Sequence, residues 1–161
     1  MRKLKDLLTF SLVLLLVSCS MSAKSDSASS AEAKEAAGTA QGEVIALNKA
    51  DFLSKVFNYE KNSTQWVYEG TKPCIIDFYA DWCGPCKKIA PIMRDLAAKY
   101  KNDLIIYKVN VDQEKELAAA FGIQSIPSIL FVPVKGQPQM AQGALPEEEF
   151  IHQIDNFLLK K

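Results

Sequence analysis

The chain has 161 residues, of which 19 are basic and 19 acidic, so its formal net charge is zero at neutral pH. This length fits one folded domain, since a single hydrophobic core typically occupies roughly 100–200 residues. Lysine and arginine form no run beyond the extreme N-terminus, and the balanced charge argues against nucleic acid or another polyanion as a partner.

The first 18 residues have the pattern of a secretory signal peptide. A basic start that includes Arg2 and Lys3 is followed by an apolar stretch from Leu7 to Val17. This stretch has about half of the ~20 residues that a membrane-spanning helix needs, so we expect no stable transmembrane helix from it.

The segment Leu16-Val17-Ser18-Cys19 resembles the lipobox of bacterial lipoproteins, in which cleavage precedes a cysteine that is then acylated. Cys19 would become the first residue of the mature chain and its lipid anchor. Two or three acyl chains hold a protein firmly on a bilayer, since each buried CH₂ contributes about 0.8 kcal/mol. The alternative is an ordinary signal peptide with an incidental cysteine. We expect the anchored form, in the cell envelope on the inner or outer membrane, facing the periplasm.

Residues 19–42 predict a flexible tether between that anchor and a folded domain at residues 43–161. After Cys19 the segment contains almost only Ser, Ala, Gly, Thr and charged or amide residues. Such a composition cannot bury enough apolar surface to offset the entropy of ordering the chain.

From residue 43 onward the chain alternates between strand and helix patterns. In the first half of this region the patterns predict a strand at 44–47, a helix capped by Asn48, a polar and aromatic loop at 58–72 and a strand at 74–79. They then predict a helix from about 83 to 100, a strand at 104–111 and a helix at 113–121. A hairpin of strands at 128–132 and 139–142 follows, and a final helix runs from Pro146 to Lys161. This order predicts an α/β fold with a mixed central β-sheet sandwiched between helices.

The predicted strand at 74–79 is almost entirely apolar, which is typical of a strand covered on both faces. Asp77 is its one charged residue. It is either a functional carboxyl or a strand-end carboxylate in water. Cys74 in the same strand is most simply a small apolar residue, with a secondary redox thiol as the alternative.

Cys83 and Cys86 follow this strand in the segment Trp82-Cys83-Gly84-Pro85-Cys86-Lys87. At this spacing two cysteines can close a disulfide within one helical turn. Cys83 lies at the positive end of the predicted helix, where a thiolate is stabilised, and is the expected nucleophile. Cys86, one turn further in and expected to be more buried, should attack the mixed disulfide and release reduced substrate. We expect no metal, since a zinc site would need a second cysteine pair or a nearby histidine.

The two-cysteine segment is one of six motifs in register that resemble the thioredoxin family, and the resemblance covers roughly residues 43–161. The matching positions are Trp82 to Lys87, Asp77 six residues before Cys83, Pro91 in the helix, the group Lys108, Asn110 and Asp112, the pair Ile126 and Pro127, and the pair Gly143 and Ala144. The longer loop before Asp77 and the Phe-Val-Pro strand look most like the exported thioredoxins of gram-negative bacteria.

The resemblance implies a thioredoxin fold and a proton-transfer role for two residues. Asp77 would lie beneath the dithiol and act as the general base for Cys86, provided that burial has raised its pKa. Lys108 would pair with Asp77 or carry a proton between states, and an ordinary edge-strand lysine is the alternative.

The resemblance also implies a groove for an extended peptide beside the dithiol. The Ile126–Pro127 bond would be cis and leave the adjacent backbone free to bind substrate, with a trans turn proline as the alternative. The implied substrate-binding residues are Trp82, Gly84, Pro85, Ile126, Pro127 and Gly143. Around this groove, Tyr79, Ser125 and Gln142 depart from the common choices of the family.

Together these patterns predict a protein-disulfide reductase that cycles Cys83 and Cys86 between dithiol and disulfide without a cofactor. Its substrates would be oxidised exported proteins, and a membrane or periplasmic thiol would donate the electrons. We expect the protein to be a monomer. The Gly84-Pro85 pair between the cysteines favours the reducing direction. The alternatives are a disulfide oxidase or isomerase, and a non-catalytic binding module.

Overall fold

A computed structural model describes residues 42–161 of the chain. The predicted signal peptide, the lipid site at Cys19 and nearly all of the predicted tether lie outside these residues. Within residues 42–161, no helix is both long and apolar enough to cross a membrane.

The described residues form five strands and four α-helices, in the predicted order. The strands are β1 (Val44–Ala46), β2 (Cys74–Tyr79), β3 (Ile105–Asn110), β4 (Ser128–Val132) and β5 (Gln139–Gln142), and the helices are α1 (Lys49–Lys55), α2 (Gly84–Lys99), α3 (Lys115–Ala120) and α4 (Glu147–His152). The strand order is β1-β3-β2-β4-β5. Strands β1, β2 and β3 run parallel, β4 runs antiparallel to β2, and β5 runs antiparallel to β4. The predicted mixed sheet of an α/β fold is confirmed.

Strand β2 lies at the centre of the sheet and separates two hydrophobic clusters. Ile75 faces the cluster that contains α2 and the last helix, whereas Ile76 and Phe78 face the cluster that contains α1 and α3. Because side chains alternate along a strand, Asp77 points to the same side as Ile75, towards α2. The fold therefore places the one charge of β2 beneath the helix that begins at the cysteines.

The end of the chain differs from the single helix predicted from Pro146 to Lys161. The α-helical part, α4, ends at His152, and the following residues, Gln153–Leu158, form a π-helix. Phe150, Ile154 and Leu158 are buried against the sheet along this helix. An apolar spacing of four residues suits both hydrogen-bonding patterns, so the sequence predicts a helix there but not its π-helical end.

The loop before β2 packs over the cluster that contains α1. The ring of Trp66 lies 4.3 Å from that of Phe57, centroid to centroid, which agrees with a packing role for this tryptophan. Asn48 caps α1 as predicted, because its side chain accepts a hydrogen bond of 2.8 Å from the Asp51 N–H. Cys74 is fully buried and forms no disulfide, in keeping with a small apolar residue.

Candidate active site

Cys83 and Cys86 form a disulfide at the start of α2. Cys83 is the N-cap residue, and its sulfur accepts a hydrogen bond of 3.1 Å from the backbone N–H of Cys86. Pro85 fits the first helical turn because it has no N–H that would lack a partner there. The same N–H and the positive end of the helix would stabilise a Cys83 thiolate once the disulfide is reduced.

The expected difference in burial between the two cysteines is absent, since each is 3% exposed in the disulfide form. Both cysteines belong to one small buried cluster with Ala80, and Ile126 packs against that cluster. What separates the cysteines is their place in α2. Cys83 lies before the first turn, whereas Cys86 lies within it and lines a cavity beneath the helix.

That cavity has a volume of about 480 Å³ and also contains Asp77. Asp77 is 6% exposed, and its Oδ1 atom has no hydrogen-bond partner among the described residues. Burial raises the pKa of this carboxyl to about 7, against an opposing effect of Lys108. A carboxyl with this pKa can both accept and release a proton near neutral pH.

Lys108 is the residue of β3 that pairs with Asp77 in the parallel register. Among residues 42–161, however, no ion pair joins Lys108 to Asp77, so the direct pairing, which was one of the two roles expected of Lys108, is not formed. The Lys108 ammonium instead lies over the ring of Tyr79, 5.6 Å from its centroid. An ammonium is attracted to the face of an aromatic ring at this distance.

Trp82 stands beside the disulfide with 69% of its surface exposed. Its indole Nε1–H donates a hydrogen bond of 2.8 Å to Asp112 Oδ2, and the Asp112 N–H donates one of 3.0 Å to Asn110 Oδ1. The Asn110 amide in turn donates to Asp81 Oδ2 at 3.2 Å. Asn110 and Asp112 belong to a motif that the sequence singled out, but their role in holding the indole was not predicted.

Gly84 and Pro85 lie in the first turn of α2, and the remaining predicted groove residues lie on the loops that flank β4 and β5. The Ile126–Pro127 bond is cis, as predicted, and Ile126 packs against the two cysteines. The Gly143 N–H donates a hydrogen bond of 2.8 Å to the Pro127 carbonyl oxygen. Gly143 has a φ of +90°, a backbone conformation that residues with a Cβ rarely adopt, so this position favours glycine.

A family model described as thioredoxin matches residues 43–156. The chain belongs to the thioredoxin family. It is 48% identical over 113 residues to the thioredoxin of Borreliella burgdorferi, a match that covers 70% of this chain and 96% of that protein. It is 38% identical over 117 residues to the thioredoxin of Haemophilus influenzae, covering 72% of this chain and 98% of that one.

Membership of the thioredoxin family makes the chain a thiol-disulfide oxidoreductase. Its redox centre is the protein's own disulfide, and the thioredoxin reaction needs no cofactor. In the part of the chain that the structure describes, no group of three or more His, Cys, Asp or Glu side chains could hold a metal ion.

Proposed function

We propose that this thioredoxin-family protein reduces disulfides in exported proteins. The observation that carries the proposal is the cavity shared by Cys86 and the buried Asp77 carboxyl, at the start of the helix whose N-cap is Cys83. This arrangement supplies a stabilised thiolate and, next to it, a base that titrates near neutral pH.

The reduction begins at Cys83, whose thiolate attacks one sulfur of a substrate disulfide. A mixed disulfide forms and the first substrate thiolate leaves. Asp77 then takes the proton of the Cys86 thiol, and the Cys86 sulfur attacks that of Cys83. The Cys83–Cys86 disulfide closes, the second substrate thiolate leaves, and the substrate has gained two electrons.

The surface residues around Cys83 support a protein substrate. The exposed Trp82 indole is held in place by Asp112, and the Pro127 loop lies against the cysteines through Ile126. An extended peptide segment can lie on such a surface and use main-chain hydrogen bonds. The donor that returns electrons to Cys83 and Cys86 would be a thiol of the membrane or the periplasm.

The reducing direction predicts a low reduction potential. Thioredoxins have potentials near about −270 mV, whereas a strongly oxidising periplasmic relative has about −120 mV, and the Gly84-Pro85 pair resembles the former. Equilibration with glutathione buffers, followed by thiol alkylation and mass spectrometry, measures the oxidised fraction. We expect a potential near that of thioredoxins. A value above about −150 mV would make the protein an oxidase or isomerase.

A Cys74→Ala variant is the matched control for this measurement. Cys74 is fully buried and its pKa is raised to about 12 by burial, so it holds its proton at neutral pH. We expect the variant to have the same potential as the unmodified protein. A changed potential would reveal a redox role for Cys74.

The proposed location in the cell envelope rests on the lipobox pattern at Cys19. Cys19→Ser should abolish both acylation and cleavage before residue 19, because the hydroxyl cannot form the thioether with diacylglycerol. Mass spectrometry of the protein purified from membranes measures both, and Ser20→Ala is a control that retains the cysteine. An unacylated wild-type chain that begins at any other residue would exclude the anchor.

A further inference from the structure

Tyr79 is the last residue of β2 and lies two positions after Asp77, so both side chains are on the face of the sheet that α2 covers. Its side chain lines the cavity with Asp77, Cys86 and Lys108. The ring is half-buried, and the Lys108 ammonium lies over it at 5.6 Å from the centroid.

Lys108 has a second potential partner on the same face of the sheet. Asp77 is its neighbour in the β2–β3 register, and adjacent strands are about 4.8 Å apart, which a lysine side chain easily bridges. Within residues 42–161 these two side chains form no ion pair, and Asp77 Oδ1 has no hydrogen-bond partner. The ammonium therefore lies over the aromatic ring although a buried carboxyl is within reach.

Several other charged or titratable groups face Asp77 across the cavity. They are Cys86, Lys87 and Arg94 from α2, Asp81 from the loop after β2, and Glu43 from the segment before β1. Lys87, Arg94 and Asp81 are exposed, so solvent screens their charges. Lys108 is the charge that opposes the effect of burial on the pKa of Asp77. Its distance from the carboxyl therefore controls how readily Asp77 binds a proton.

We propose that Tyr79 is a positioning residue whose ring holds the Lys108 ammonium away from Asp77, so that the carboxyl stays free to accept the Cys86 proton. The inference rests on the proposed function, in which Asp77 is the base for Cys86. A direct ion pair would favour the carboxylate and lower the pKa of Asp77 by roughly 1–3. The paired carboxylate would be a weaker base for the thiol.

The test compares a variant without the ring, Tyr79→Leu, with Tyr79→Phe, which keeps the ring but loses the hydroxyl near Asn110. The oxidised protein is titrated and the carboxyl carbon of Asp77 is followed by NMR, with Asp77→Asn to assign the signal. In this state Cys83 and Cys86 carry no titratable thiols. We expect the pKa of Asp77 to fall by about 1 or more in Tyr79→Leu and to stay at the wild-type value in Tyr79→Phe.

Lys108→Met shows whether any change passes through the lysine. In the Lys108→Met background, Tyr79→Leu should leave the pKa of Asp77 where Lys108→Met alone puts it. An equal fall with and without Lys108 would overturn the proposal, as would an unchanged pKa in Tyr79→Leu. Tyr79→Met is a second ring-free variant that serves if the leucine variant does not fold.

A rate measurement separates this inference from the proposed function. Pre-reduced protein is mixed with insulin in a single turnover, so no external donor contributes to the pH dependence. If the pKa of Asp77 falls from about 7 to about 6 in Tyr79→Leu, the ratio of the rate at pH 6 to that at pH 8 should rise about fivefold. If the wild-type protein does not reduce insulin, the proposed function fails, whereas the NMR titration still decides the position of Lys108.

Discussion

Replacing Cys86 with serine should convert the protein from a catalyst into a trap for its substrates. In the proposed reaction Cys83 attacks first, and only the Cys86 sulfur can resolve the mixed disulfide. A serine hydroxyl cannot do so, and insulin reduction should fall to the uncatalysed rate. The adducts should appear on non-reducing gels of an envelope extract and disappear after treatment with dithiothreitol, and mass spectrometry of the trapped partners would identify the substrates.

Two variants control the trapping experiment. Cys83→Ser should be equally inactive but should form no such adducts, because it lacks the nucleophile. Cys74→Ala removes the buried thiol of β2 and should leave both turnover and the adduct pattern unchanged. Adducts that form on Cys86 in the Cys83→Ser variant, with none on Cys83 in Cys86→Ser, would reverse the proposed order of attack.

Much of the fold could be predicted because its signals are local. The apolar run at Cys74–Tyr79 and the helical spacing after Cys83 each depend on neighbouring residues, and both elements are present near their predicted bounds. A single charge in an otherwise apolar strand indicates a special environment for Asp77, and this signal too is local. The burial of Asp77 agrees with it.

The parts of the site that could not be predicted depend on side-chain directions and on contacts between distant residues. The motif resemblance places Lys108 beside Asp77, but it does not reveal that the ammonium turns towards Tyr79. The Trp82–Asp112 hydrogen bond joins residues 30 positions apart, and only the packing of the loops after β2 and β3 brings them together. The equal burial of Cys83 and Cys86 likewise depends on their shared packing with Ala80 and Ile126, which the position of each cysteine in the helix does not reveal.

These differences have a chemical consequence for the proton path. Had Lys108 paired with Asp77, the carboxyl would remain ionised well below neutral pH and would be a poor acceptor for a thiol proton. The observed arrangement leaves Asp77 buried with a pKa of about 7. The effects of replacing Asp77 should therefore depend on pH in both rate and stability.

The stability effect of Asp77→Asn follows from the pKa of the carboxyl in the two states. In the folded protein the pKa is about 7, above the ordinary value of 3.8 that applies to the unfolded chain. The folded state therefore holds the Asp77 proton more tightly, and the contribution of Asp77 to the wild-type free energy of unfolding falls as pH rises from about 4 to about 7. The loss is about 3–5 kcal/mol. An asparagine has no such titration, so the variant should gain stability over the wild type across this interval.

Asp77→Asn should also slow insulin reduction by roughly 10²-fold, the low end of the effect of losing one general base. Rate and stability thus move in opposite directions above pH 7, where the oxidised variant should resist urea better than the oxidised wild type. The measurement pairs urea unfolding of both oxidised proteins at pH 4 and pH 8 with the pH-rate profile of insulin reduction. Asp95→Asn, at an exposed position on α2, is the control and should change neither quantity. Unchanged turnover in Asp77→Asn, or a stability difference that does not grow between the two pH values, would mean that Asp77 is not the buried base for Cys86.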